Sequence, residues 1–290
     1  MLQLVSKNLS VEAQALLDDL QMRVNNEVDF EHKVAKAQAL WRSKGGQQGK
    51  LAFSNISAVL KEMCVYVEAC NYCEHNESND IEHIDPKSYF PDKTFVWQNY
   101  LRACKQCNSG YKLDSCFVLD DDDNVVEILR GVEPPFKTIA FINPRTENPN
   151  TFMILNTLTY SFDLMPDLSK RDTHKAIKTL AILQLNNRDL LIQARKNAAV
   201  YLYQRMKLLA DLIQANSIAE IENLLSPHDD ALIDKTLSLA VIKTQVKNSF
   251  QKHITTYAHP SVWYAIKKVS SKTEPKWAAI FDILPEALNW

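Results

Sequence analysis

Glycine is scarce in this chain, at 5 of 290 residues against a usual share of about 7%. So few permissive positions argue against a turn-rich all-β architecture and for helices. Long hydrophobic runs are missing as well, since no stretch approaches the ~20 apolar residues of a membrane span. The opening Met1-Leu2-Gln3-Leu4-Val5-Ser6-Lys7 has neither the basic start nor the apolar core of a signal peptide. The expectation is a soluble, cytoplasmic protein with no membrane partner. A surplus of charge is also absent. Lys plus Arg number 33 and Asp plus Glu 35, a net charge of -2, which excludes a histone-like polycation and an acidic disordered chain. What remains is 46% hydrophobic and 23% charged, ordinary for a globular chain, and the length gives a prior of roughly two domains.

The near-neutral total hides an asymmetry. Residues 1–164 sum to -7 and residues 165–290 to +5. In the second part Lys235, Lys243, Lys247, Lys252, Lys267, Lys268, Lys272 and Lys276 follow one another with Glu274 as the one acid among them. Lysines so placed are the first candidates for a broad contact with a phosphate backbone, Lys243, Lys247 and Lys252 in particular. The competing reading is a solvated helix face, or a dock for an acidic partner.

Apolar spacings of three and four predict helix over 11–41, a mobile glycine-bearing loop at 43–49, and a second helix from about Asn55. The texture changes at Cys70, where short apolar pieces and prolines begin. Phe117-Val118-Leu119 and Val125-Val126-Glu127-Ile128-Leu129 predict two strands joined by a solvated turn at Asp120–Asp123, and residues 151–164 predict another short pair. Helical patterning returns near 172–185, 188–214 and 230–257, then 261–270 and 276–288. The expected fold class is α+β. An N-terminal helical segment (1–64) and a C-terminal helical domain (166–290) flank an irregular module (65–165).

Within that module Cys70-Asn71-Tyr72-Cys73 and Cys104-Lys105-Gln106-Cys107 form two CxxC pairs with 30 residues between them. Each turn can bring two thiolates to one ion, and two turns complete a tetrahedral structural zinc site. Disulfides, disfavoured in a reducing compartment, and four unrelated core thiols are the alternatives. Cys64 and Cys116 are left over and read as buried thiols, Cys64 on the apolar side of the preceding helix and Cys116 at a strand start. A rival arrangement, His75-Asn76-Glu77 followed by Cys104 and Cys107, mimics the zinc nucleobase deaminases. It has Ala103 where that pattern wants Pro, and it leaves Cys70 and Cys73 without a task.

Between the pairs lie Asp80-Ile81-Glu82-His83-Ile84-Asp85-Pro86-Lys87, Trp97-Gln98-Asn99-Tyr100-Leu101, and Asn108 just past Cys107. Glu82-His83, Asn99 and Asn108 resemble the three signature elements of HNH endonucleases, with Asn in place of the final His. The resemblance implies a zinc-framed ββα-metal module. In it His83 is the general base and Asn99 braces the loop that orients His83. Glu82 and Asn108 hold a catalytic Mg²⁺ or Mn²⁺, to which their oxygen atoms are suited. Lys112, one turn beyond Asn108, is a candidate phosphate contact. The wider wording, with Phe141-Ile142-Asn143-Pro144-Arg145 downstream, is similar to HNH proteins linked to retrons and to Septu-type phage defence. That resemblance implies nucleic acid as substrate, DNA favoured over RNA, and an ABC/SMC-like ATPase as partner. A zinc-framed binding subunit with a vestigial nuclease site is the alternative.

Overall fold

In the computed structural model, which describes residues 1–225 and 233–290, the chain divides into two compact units. The first comprises Met1–Ile154 with Phe162–Arg188, the second Leu155–Ser161 with Asp189–Trp290.

The first unit opens with three helices. Ser10 accepts from the Ala13 amide and starts α1 (Val11–Asn25), and Asp29 accepts from the His32 amide and starts α2 (Phe30–Ser43). The helix expected over 11–41 is therefore two helices, broken where Asp29 offers the second one a cap. A second difference concerns the glycines. Lys44 and Gly45 are left-handed and end α2, but α3 (Gly46–Glu62) begins at once, so Gly46 to Gly49 belong to a helix and not to the expected loop. Leu17 and Leu20 of α1, Leu40 of α2 and Ile56 and Leu60 of α3 are buried, as the periodicity predicts. Cys64 lies past the end of α3 and is half-buried, its thiol near the Leu60 carbonyl and Ser78 Oγ, while Cys116 is buried just before a strand.

Strand β1 (Asp80–His83) pairs antiparallel with β2 (Tyr100–Ala103), setting Glu82 opposite Leu101 and His83 opposite Tyr100. A wide helical turn of π type, Gln106–Lys112, follows β2 directly. Next come β3 (Phe117–Leu119), β4 (Val125–Glu127) and β5 (Thr138–Ile139) in the order β4-β3-β5, then the pair β6 (Met153–Leu155) and β7 (Phe162–Leu164). The acidic turn between β3 and β4 is closed by Asp120, which accepts from the Asp122 and Asn124 amides. It is less solvated than expected: Arg171 bonds Asp123 at 2.7 Å, from α4 (Lys170–Ile182).

The second unit is helical: α5 (Asp189–Gln214), α6 (Ile218–Leu224), α7 (Leu239–Thr255) and α8 (Pro260–Ala265), then a wide turn, α9 (Ser271–Thr273) and α10 (Pro275–Ile283). The helix expected over 230–257 starts only at Leu239, because Ser238 caps it; positions 230–232 lie outside the described residues. Leu202, Met206 and Leu209 of α5 and Ile242, Val246 and Phe250 of α7 are buried, and these two helices pack together. No described helix is long and apolar enough to cross a membrane.

Candidate functional site

The cysteine frame is built by two tight turns. Glu74 donates its amide to the Cys70 carbonyl and takes a left-handed φ of 58°, curling the first pair, while Asn71 donates from its amide and its Nδ2 to the Arg102 carbonyl at 3.1 Å. Those bonds pin the first pair to the end of β2, where Cys104 begins the second. The ligand sulfurs of Cys70, Cys73, Cys104 and Cys107 all lie within 4.8 Å of one another, and all four residues are buried. A tetrahedral ion with Zn–S bonds of about 2.3 Å needs sulfurs ~3.8 Å apart; Cys73 and Cys104 stand at 3.9 Å. The cluster can hold a zinc ion. Hydrogen bonds from Cys107, Cys70 and Cys73 hold the Cys104 thiol far below the usual range. Donors also surround the sulfurs: Asn76 Nδ2 reaches Cys104 Sγ at 3.7 Å and Arg188 reaches Cys107 Sγ at 3.4 Å. His75 is exposed and outside this cluster, so the deaminase-like pattern loses its cysteines to Cys70 and Cys73.

His83 ends β1, 5% exposed. Its Nε2 lies 2.9 Å from the Thr94 carbonyl, which also accepts from Tyr100 Oη at 2.6 Å. A carbonyl can only accept, so Nε2 carries the proton and Nδ1 keeps its lone pair. Burial, reinforced by the charge of Lys87, lowers the imidazole to about 3, and the ring is neutral at physiological pH. The segment carrying Thr94 is held by Asn99. Its Oδ1 accepts from the Asp85 amide at 2.7 Å, and its Nδ2 donates to the carbonyls of Asp85 at 3.0 Å and Lys93 at 2.9 Å. Trp41 of α2 closes the other side, its ring centroid 4.3 Å from that of His83 in an edge contact.

Glu82 precedes His83 and is buried, with Lys112 Nζ 2.5 Å from its Oε1. Burial raises the Glu82 carboxyl while Lys112 opposes the rise. Asn108 donates from Nδ2 to Asp80 Oδ2 at 3.0 Å. Glu82, His83 and Asn108, together with Trp41, Lys87 and Asp114, line one polar pocket of about 190 Å³. The oxygen donors there fit a hard divalent cation better than a soft one.

The structure thus brings Glu82, His83 and Asn108 to one pocket and sets Asn99 behind it. Lys112 differs from expectation. It is 2% exposed and spends its ammonium on Glu82 and on the His83 carbonyl at 2.8 Å, so it offers no free charge to a phosphate. In the second unit Lys243 Nζ donates to the Ile213 carbonyl at 2.7 Å and Lys247 pairs with Glu286 at 3.1 Å, whereas Lys252 is exposed. Lys235 and Lys276 likewise meet Glu222 and Glu274. The lysine run therefore carries less free charge than its order suggests. Among the pocket residues without a role assigned from sequence are Lys87 and Trp41. Lys87 could have been found from its place four residues past His83; Trp41 had no signal beyond its helical spacing.

A stretch of 59 residues is 37% identical to the Septu protein PtuB of Bacillus thuringiensis. It covers 20% of this chain and 21% of that protein, so the match spans about a fifth of each and supports a Septu-like relationship. No protein-family profile matches the chain, and no solved structure matches it.

Proposed function

We propose that this chain is a metal-dependent HNH endonuclease that hydrolyses phosphodiester bonds, with DNA favoured, and that it serves as the nuclease component of a Septu-type antiphage system with an ABC/SMC-like ATPase partner. The observation that carries the reading is the common pocket: a neutral histidine with a free Nδ1 beside the oxygen donors of Glu82 and Asn108. Hydrolysis needs a base for water and a cation for the charge that builds on phosphate and leaving oxygen. His83 takes the proton of water at Nδ1, and the imidazolium so formed is stabilised by its Nε2–H bond to the Thr94 carbonyl. Asn99 keeps that carbonyl in place. Glu82 and Asn108 would hold Mg²⁺ or Mn²⁺, which when bound supplies electrostatic stabilisation of the phosphate. The cysteine cluster holds a structural zinc that fixes β2 and the 106–112 helix. The likeness to a Septu protein supports the defence role, and the pocket supports the chemistry.

Incubation with plasmid DNA and with RNA, in Mg²⁺, Mn²⁺ and EDTA, with and without an ABC/SMC-like ATPase of the Septu type, tests the proposal. His83→Ala should abolish cleavage while leaving the melting temperature close to wild type or lower by a few degrees. A folded His83→Ala protein that cuts at the wild-type rate removes His83 as the base. The ion contact between Lys112 and Glu82 favours one second reading, a zinc-framed binding subunit whose carboxylate is already neutralised. Nucleic-acid binding without cleavage under every metal condition would select it.

A further inference from the structure

Two lysines stand near the histidine pocket, and the structure separates them. Lys112 Nζ is internal, bound to the His83 carbonyl and in ion contact with Glu82. Lys87 lines the pocket itself. It sits in a turn closed by the Tyr89 and Phe90 amides, which both donate to the Pro86 carbonyl, at 3.0 and 2.9 Å. Its neighbours Pro86 and Ser88 are buried, so the turn presents the side chain from a fixed base.

The two acids whose charges act on Lys87, Glu82 and Asp114, are already engaged. Glu82 is in contact with Lys112, and Asp114 accepts from Ser88 Oγ at 3.1 Å and pairs with Arg130 at 3.3 Å. Lys87 itself makes no hydrogen bond or ion pair with any described residue. Burial holds its ammonium below the usual lysine value, although Glu82 and Asp114 pull the other way. A half-buried ammonium with no partner carries an unrecovered desolvation cost, which an anion entering the pocket removes.

We propose that Lys87 is the anion-binding group of this pocket and holds a phosphodiester of the nucleic-acid strand against Glu82, His83 and Asn108. The inference rests on the nuclease reading for the identity of the anion. Lys112, the lysine singled out by its position after Asn108, instead fixes the Glu82 carboxylate and the end of β1.

The test separates the two claims by reading binding and cleavage independently. Binding of a fluorescein-labelled DNA duplex is measured in the non-cleaving His83→Ala protein, with and without Lys87→Gln, across a salt series. Loss of one phosphate contact should reduce the slope of log affinity against log salt by about one unit. In the His83-intact protein, Lys87→Gln should lower kcat/KM on the order of tenfold or more, and Lys87→Arg should restore part of the loss. Because Lys87 has no internal partner, the melting temperature of each variant should stay near wild type. An unchanged salt slope for Lys87→Gln, or absence of salt-dependent binding without that substitution, overturns the assignment. If wild type binds DNA but never cuts it, the nuclease reading fails while the slope still decides Lys87.

Discussion

At the scale of single residues, chemistry and position must be separated. His83 is a strand residue whose proton placement is dictated by one backbone carbonyl, and that carbonyl is placed by Asn99. Asn99 holds the loop and, in the proposed reaction, is a positioning residue. Asn99→Ala removes three hydrogen bonds, two buried and one part-buried, and should cost about 2–4 kcal/mol of stability. It should also lower kcat more than it changes KM, because the base is misplaced while the pocket that binds substrate persists. Equal activity in a folded Asn99→Ala protein, assayed below its melting temperature, would show that Thr94 holds its place without help. Glu82, His83, Asn99 and Asn108 were legible in the sequence because their types and order resemble a nuclease signature. The division of labour between Lys87 and Lys112 was not. Both are lysines near the motif, and only burial and partner choice tell them apart.

At the scale of elements, the module of β1, β2 and the 106–112 helix is too small to hold itself together by apolar burial. Its two strands have four residues each, and its helix spans seven. The cysteine cluster ties the end of β2 to that helix. If zinc occupies it, Cys73→Ser should lower the melting temperature by many degrees and reduce zinc from about one per chain by elemental analysis, since metal binding free energy is folding free energy in such modules. Carefully purified wild type without zinc would sink this expectation. The CxxC pairs announced the cluster because their ligand spacing is a property of a short turn. The junction between α2 and α3 was hidden for the converse reason. Glycines are loop signals locally, yet here two left-handed residues end one helix and the next starts immediately.

At the scale of the whole molecule, charge order along the chain is a poor guide to charge in space. The lysine run after residue 234 has one acid within it, but Glu222 and Glu286 from outside the run pair with Lys235 and Lys247. Lys243 is bound to a helix carbonyl. Of the three lysines singled out on α7, Lys252 is the exposed one. If the second unit touches nucleic acid, Lys252→Gln should flatten the salt dependence of binding by up to about one unit, while Lys247→Gln changes it little. Equal effects of the two substitutions would mean that the Lys247–Glu286 pair opens on binding. The first unit holds a different lesson. Its N-terminal helices, separated from the cysteine module in the sequence reading, supply Trp41 to the wall of the histidine pocket.

The sequence by itself determined the helix-rich α+β character, the long helix α5 to within a residue and α4 to within three, the β3–β4 and β6–β7 pairs, and the grouping of four cysteines. These follow from periodicity, capping and turn chemistry, which act within a few residues. It also singled out Glu82, His83, Asn99 and Asn108, because their side chains are specialised and their order resembles a nuclease signature. The tertiary structure alone decided that His83 is buried and neutral, that Lys112 neutralises Glu82, that Lys87 stands unpartnered, and that Trp41 reaches the pocket. Those outcomes depend on desolvation and on pairing between groups far apart along the chain, which local pattern cannot encode.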